Sequence, residues 1–289
     1  MDISIIIPSL NGKNHLSNYL SSVVNATNYS KYETEIIVID DNSSDDTVDF
    51  IKNNFQDKVI VVKNPRKGAC SARNYGVSLS KGKYICFLDN DVLIEEDFFN
   101  KTILYFSDEN IGAVTCAGYL MNDGKQIDGV KLLDFKRGFP RFTRNIMNDN
   151  LLEIQDCATL WGGDKVYYSF GMQGAYFLCR KELYVKLGGI NELFEPYLLE
   201  ETDLMYKILK SGYKIAYAND TKPLHLCGGT IKSKTSERTK YLSIRNKYIF
   251  TFIHIHSKSL IFSTFINTLL KLFSSTSLNS SIFSFTVAE

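Results

Sequence analysis

The sequence of 289 residues has little of several things, and each shortage removes a class of protein. Its net charge is only +1, so it carries no basic footprint for a nucleic-acid backbone. An anionic small molecule stays admissible, because a metal can supply positive charge locally. No two of its six cysteines, Cys70, Cys86, Cys116, Cys157, Cys179 and Cys227, have C-x-x-C spacing. Most sit in apolar runs, where a buried reduced thiol is ordinary, and the expected compartment is reducing. No basic segment precedes the first apolar run at Ile3, so no secretory signal is expected. No apolar stretch reaches the roughly 20 residues that span a bilayer. Tyr248 to Phe273 is interrupted by His254, His256 and Lys258, which leaves fourteen residues from Leu260. No internal repeat is visible.

What is present begins with alternation. Ile3–Ile7, Ile36–Ile39, Val59–Val62 and Tyr84–Leu88 are short apolar runs of strand type. Between them, Leu16, Tyr19, Leu20 and Val23 recur at helical spacing, Ser44 to Thr47 reads as a helix start, and Ala69–Leu79 reads as a helix. This alternation predicts an α/β fold with a parallel sheet covered on both faces. Residues 118–170 lose the pattern and read as a long irregular insert holding the only tryptophan, Trp161. Strand and helix signals return at Gly174–Cys179, Lys181–Leu187, Glu200–Lys210 and Ile215–Tyr217. The tail predicts either amphipathic helices that lie on a membrane or pack on a partner, or an ordinary helix pair packed on the preceding domain, and the apolar pattern favours neither.

Parallel sheets bind ligands beyond the carboxyl ends of their strands. Three polar clusters fall there: Pro8-Ser9-Leu10-Asn11, Asp40-Asp41-Asn42-Ser43 and Asp89-Asn90-Asp91. Two carboxylates two residues apart can converge on a hard divalent cation, which also takes phosphate oxygens. Alone, D-x-D is more often a solvated turn; its place directly after an apolar strand favours the ligand role. Asp41 suits a hydrogen bond from a base or ribose and equally a helix cap. Arg73, on the third helix, suits a diphosphate, although a helical arginine taken alone is more often a surface residue. Glu200, Glu201 and Asp203 crowd one helix start. The helix dipole accounts for that, and so does a general base whose pKa its neighbours raise. His225 alone is more often a packed histidine than a ligand.

Together these segments resemble the family 2 glycosyltransferases of the GT-A fold. The pieces are Ser4 to Asn11, Ile39 to Thr47, Gly68 to Asn74 with Gly76, Gly82 to Asp91, Gly188 to Glu192, Glu200 to Leu204, and Gly212 to Ile215. Each is weak, but their order and spacing agree over about residues 3–230. The resemblance implies a Rossmann-like, mostly parallel sheet flanked by helices over residues 1–230, with 118–170 as an acceptor-side insert and 231–289 as a helical extension. It implies a nucleotide pocket lined by Pro8, Ser9 and Asn11, with Asp41 at the base and Arg73 nearby. It places Asp89 at the ribose and metal, Asp91 on the metal, and His225 where some relatives have a further ligand. The catalytic base falls at Glu201, where the family usually has aspartate. Arg245-Asn246 looks like the segment that opens the C-terminal region in relatives transferring single sugars.

The expected activity is inverting transfer of one sugar from a UDP- or dTDP-type donor, with Mn2+ or Mg2+, to a glycan or lipid-linked hydroxyl in cell-surface polysaccharide synthesis. The donor expectation comes from residues 121–129, which resemble those of rhamnosyl-type transferases. No nucleic-acid partner is expected. The expected location is the cytoplasm, with the tail at the membrane face if it binds there. A processive synthase would carry Q-x-x-R-W and several membrane helices. A nucleotidyltransferase would carry a glycine-rich basic loop after the first strand. A non-catalytic binding scaffold would account for glutamate at position 201.

Overall fold

The computed structural model describes residues 1–136, 139–147, 157–160, 164–226 and 237–275. The first half follows the predicted alternation: β1 (Ile3–Ser9), α1 (Lys13–Tyr29), β2 (Thr34–Asp40), α2 (Thr47–Phe55), β3 (Val59–Lys63), α3 (Ala69–Leu79) and β4 (Tyr84–Leu88). β1, β2 and β4 carry nearly continuous apolar runs because both of their faces are covered, while β3 at the sheet edge leaves Ile60 exposed. Ile3, Ile5 and Ile7 of β1 pack with Leu16, Leu20 and Val23 of α1. Ile6 faces the other way, toward Ala72 and Val77 of α3. This is the two-residue period of a strand placed between two helical layers. Phe87 of β4 shows how tight the second layer is: its ring lies 4.8 Å from Phe177 and 5.5 Å from Tyr184. Truncating such a buried aromatic to alanine costs about 3–5 kcal/mol.

After β4 come β5 (Val92–Leu93), α4 (Phe98–Leu104) and β6 (Ile111–Cys116). The stretch expected to be irregular is strand-rich instead. It holds β7 (Gly118–Leu120), β8 (Gln126–Asp128), β9 (Val130–Lys136), β10 (Phe139–Ile146), β11 (Cys157–Leu160) and β12 (Asp164–Tyr168). β9 and β10 form a hairpin, and β12 joins the main sheet. β7, β8 and β11 hold only three or four residues and β9 is largely half-buried, so the stretch lacks the apolar runs that marked the others. Trp161 and Cys227 lie outside the described residues.

The rest is β13 (Tyr176–Arg180), α5 (Lys181–Lys186), α6 (Glu200–Lys210), β14 (Lys214–Ala218), β15 (Leu224–His225), α7 (Glu237–His254) and α8 (Lys258–Ser275). The nine-stranded sheet runs β11-β12-β14-β6-β13-β4-β1-β2-β3. The four strands from β4 to β3 are parallel. Beyond them the sheet is mixed, because β13 runs antiparallel to both of its neighbours and β12 antiparallel to β14. "Mostly parallel" therefore holds for the amino-terminal half of the sheet only.

Of the tail, α7 packs on the domain through Leu242, Asn246, Phe250 and His254, all buried. α8 leaves Phe262, Phe265 and Leu270 exposed. No helix among the described residues is long and apolar enough to cross a membrane. Cys70, Cys86, Cys116 and Cys179 are buried free thiols.

Candidate active site

β1 lies between β2 and β4 and runs parallel to both, so all three strands end at one edge of the sheet. That brings Ser9 to Asn11, Asp40 to Ser43 and Asp89 to Asp91 together, a convergence that strand order alone supplies. Asn90 Nδ2 donates to Ser9 Oγ at 2.9 Å, joining the first cluster to the third. Asn11 Oδ1 accepts from the Ser44 amide at 2.8 Å, and Asn11 N–H donates to Ser43 Oγ at 2.9 Å, joining the first to the second. Gly12 sits where this loop tightens: a Cβ there would fall 2.1 Å from Ser9 Oγ.

His225 reaches this edge through β15. Its antiparallel register sets His225 opposite Val92, one residue beyond Asp91. His225 Nε2 is 3.1 Å from Asp91 Oδ1. Ligand atoms of Asp89, Asp91 and His225 all lie within 4.8 Å of one another. Two carboxylates and an imidazole within that span, with Asp91 buried, are a donor set of the kind that Mn2+ or Mg2+ takes. Burial works against a charged His225, but its hydrogen bond to Asp91 and the charges of Asp91, Asp89 and Asp128 outweigh burial and raise its pKa.

Arg73 is not the solvated residue that its helix position alone suggests; it is 5% exposed. Its Nη2 lies 2.7 Å from Asp89 Oδ1 and its Nη1 3.7 Å from Glu200 Oε1. Burial opposes its charge, and the two carboxylates more than offset that, so it stays protonated. Arg73 therefore meets the cluster from beneath, through Asp89. Asp41 is held locally: its carboxylate accepts from the Gly68 amide at 2.9 Å and from Asn64 Nδ2 at 2.7 Å. Pro8 is paired in β1 opposite Ile39 at the same edge.

The acids of α6 divide by environment. Glu200 is buried, and burial, with the Glu201 charge next, pushes its pKa up to about 8. Asp203 is buried against Lys207 and His254, at 2.9 and 2.6 Å. Glu201 is partly exposed and faces Gly174, where a Cβ would lie 3.8 Å from its carboxylate oxygen. The same Gly174 accepts from Arg73 Nη2 at 3.4 Å, and Ala175 O accepts from the Asp89 amide at 2.9 Å. The segment 174–175 thus lies between Glu201 and Asp89. The sequence marks Gly174–Cys179 as a strand but does not show that its start lies in the site. Nor does it single out Glu195, whose Oε1 accepts from Ser71 N–H at 2.9 Å and whose pKa burial raises. Neither carries a local motif, and only the packing of α3 against 190–200 reveals them.

A sequence profile described as "Glycosyl transferase family 2" matches residues 4–166, more than half of the chain. "Probable glycosyltransferase YdaM" of Bacillus subtilis (strain 168) is 29% identical over 227 residues, 74% of this chain and 48% of that protein. "UDP-Glc:alpha-D-GlcNAc-diphosphoundecaprenol beta-1,3-glucosyltransferase WfaP" of Escherichia coli is 40% identical over 90 residues, 31% of this chain and 35% of that protein. The chain thus spans half or less of the length of these curated relatives. Among solved structures, S. aureus TarS 1-349 in complex with UDP-GlcNAc aligns with a TM-score of 0.59 at 16% identity, over 98% of this chain and 77% of that one. Mannosyltransferase PcManGT from Pyrobaculum calidifontis, in complex with GDP-Man and Mn2+, aligns with a TM-score of 0.58 at 15% identity, over 96% and 76%. At such identity the likeness carries the fold, and that fold is GT-A.

Proposed function

Since the chain belongs to glycosyl transferase family 2, we propose that it transfers a single sugar, with inversion, from a UDP- or dTDP-type donor to a glycan or lipid-linked hydroxyl. The observation that carries this is the convergence of Asp89, Asp91 and His225 at the mouth of the sheet, with Glu201 across the Gly174 segment. Asp89, Asp91 and His225 would hold Mn2+ or Mg2+, which when bound neutralises diphosphate oxygens and so favours their departure. The mannosyltransferase and TarS neighbours, solved with GDP-Man and Mn2+ and with UDP-GlcNAc, support a nucleotide-sugar site on this fold. The Escherichia coli relative, whose name gives a diphosphoundecaprenol-linked acceptor, supports a lipid-linked class.

In this reading Pro8, Ser9, Asn11 and Asp41 line the nucleotide pocket. Arg73 fixes the Asp89 carboxylate through a charge-assisted hydrogen bond. Glu201 accepts the proton of the incoming hydroxyl. The acceptor oxygen bonds to the anomeric carbon from the face opposite the diphosphate, and the carbon–oxygen bond to the diphosphate breaks with its electron pair on the leaving group. Glutamate extends one methylene further than the family's usual aspartate, so it reaches a hydroxyl set slightly further from α6. Glu200, buried beside Arg73, orients the guanidinium. Assays of donor hydrolysis and of transfer test the assignment. Asp91→Ala should lose both, and Glu201→Gln should lose transfer while binding donor normally. Normal turnover by Glu201→Gln would refute its role as base, and no donor hydrolysis by the wild type with Mn2+ would favour a binding scaffold.

A further inference from the structure

Two clefts outside the active site meet at one side chain. α7 and α8 fold back on each other around the 255–257 break and are tied by the Tyr248 hydroxyl and Thr268 Oγ1, 2.7 Å apart. Between them lies a groove of about 410 Å3 whose walls include Tyr248, Phe252 and Ile255 from one side and Ile261, Thr264 and Phe265 from the other. These residues recur at the three-, four- and seven-residue intervals of a helix face. The face is apolar yet wet: Phe252 is 73% exposed and Phe265 58%. Scattered exposed apolar residues need no explanation, but a concave set of them marks a binding surface.

The second cleft, of about 330 Å3, opens on the other side of Tyr248, between α7 and the β9–β10 hairpin. Lys136, Phe139, Arg141, Ile244 and Lys247 line it with Tyr248. Phe139 packs edge-on against the Tyr248 ring, 4.9 Å between centroids. Three cations therefore gather at one end of an apolar groove. Arg141 lies 3.3 Å from Asp134, while Lys136 and Lys247 have no acidic partner among the described residues. α7 carries Arg238, Lys240 and Lys247 against the single acid Glu237, while its Arg245 is held away from the cleft by the carbonyls of Leu193 and Glu195. An apolar trough alone selects no occupant. A trough that ends in uncompensated positive charge selects an amphiphile with an anionic head.

We propose that the two clefts form one site for a lipid phosphate, with its apolar chain between α7 and α8 and its phosphate or diphosphate among Lys136, Arg141 and Lys247. Naming that lipid as the sugar acceptor rests on the function proposed above; the site itself does not, and it is tested by binding alone. α7 also joins the site to the catalytic edge, because Asn246 on the same helix hydrogen-bonds the 194–198 segment that leads into Glu201.

The test is calorimetric titration of the full chain with soluble farnesyl phosphate, farnesol and inorganic phosphate, beside sedimentation with phosphatidylglycerol vesicles. Saturable binding of farnesyl phosphate is expected, at least tenfold tighter than either the alcohol or inorganic phosphate. The double substitution Lys136→Glu/Lys247→Glu should weaken it at least tenfold. Ile261→Trp, which fills the trough from an exposed position, should do the same, with unchanged thermal unfolding in both variants. Equal affinity for farnesol or for inorganic phosphate would overturn the proposal. So would recruitment to the vesicles without saturable binding of the soluble lipid. Farnesyl phosphate binding in a wild type that hydrolyses no donor would leave this site standing and remove only its identification with the acceptor.

Discussion

Buried Arg73 and half-buried Asp89 form an ion pair, Nη2 to Oδ1 at 2.7 Å, that couples the third helix to the candidate metal cluster. The guanidinium also lies 3.7 Å from Glu200, so one planar group orients two carboxylates from beneath the site. Lysine keeps the charge but not the fork. Arg73→Lys should reduce donor turnover at least tenfold and raise the Mn2+ concentration needed for half activity. Arg73→Ala removes the buried charged partner of Asp89 and Glu200 and should destabilise the fold by about 1–3 kcal/mol. Mn2+ titrations and urea unfolding read the two effects.

The ligand role proposed for His225 links metal affinity to pH. Its pKa is raised, since the Asp91 hydrogen bond and the acidic neighbours outweigh burial. Binding a cation through the imidazole requires that proton to leave. Apparent Mn2+ affinity should therefore climb as pH rises toward the raised pKa and level off above it. In His225→Ala the climb should flatten, because no imidazolium has to be displaced. Calorimetry at several pH values measures both slopes.

Glu200 gives the opposite kind of dependence, on stability. Burial raises its folded pKa from 4.5 to about 8, so between those values the native state holds a proton that the unfolded chain releases. Its stabilising contribution is complete below about pH 4.5 and is lost as pH rises through about 8. With no divalent ion added, Tm should fall across that window, and Glu200→Gln should shallow the fall.

Asn246 is fully buried on α7, and its Nδ2 lies 3.2, 3.0 and 2.6 Å from the carbonyl oxygens of Phe194, Tyr197 and Leu198. It braces a turn in which Leu198 and Leu199 take φ of 80° and 70°, left-handed values that disfavour leucine. Asn246→Ala should cost about 1–3 kcal/mol. It should lower kcat for transfer more than it raises donor KM, since the loosened turn carries Glu201. Urea unfolding and steady-state kinetics separate the two.

The amino-terminal half of the fold was legible because its strands are buried on both faces and its helices are amphipathic. Ala69–Leu79 and Glu200–Lys210 appear in the structure with the bounds their periodicity predicts. The β6 strand and residues 118–168 were not, because β6 carries no helix-or-strand contrast with its surroundings and the hairpin strands alternate too weakly. Asp89 and Asp91 stood out by spacing. That His225 would join them depended on the pairing of β15 with β5, a contact across more than a hundred residues that no local pattern encodes. The burial of Arg73 was hidden for the same reason: its carboxylate partners come from β4 and α6.

The central claim is that Asp89, Asp91 and His225 bind a nucleoside diphosphate together with a divalent cation. Thermal unfolding with UDP or dTDP, with and without Mn2+, tests it most directly. A ligand at 100 times its Kd stabilises by about 2.7 kcal/mol, which raises Tm by roughly 5–10 °C in a chain of this size. Such a rise is expected only when nucleotide and Mn2+ are both present, and it should be lost in Asp91→Ala. An equal rise in EDTA, or an unchanged rise in Asp91→Ala, would contradict it.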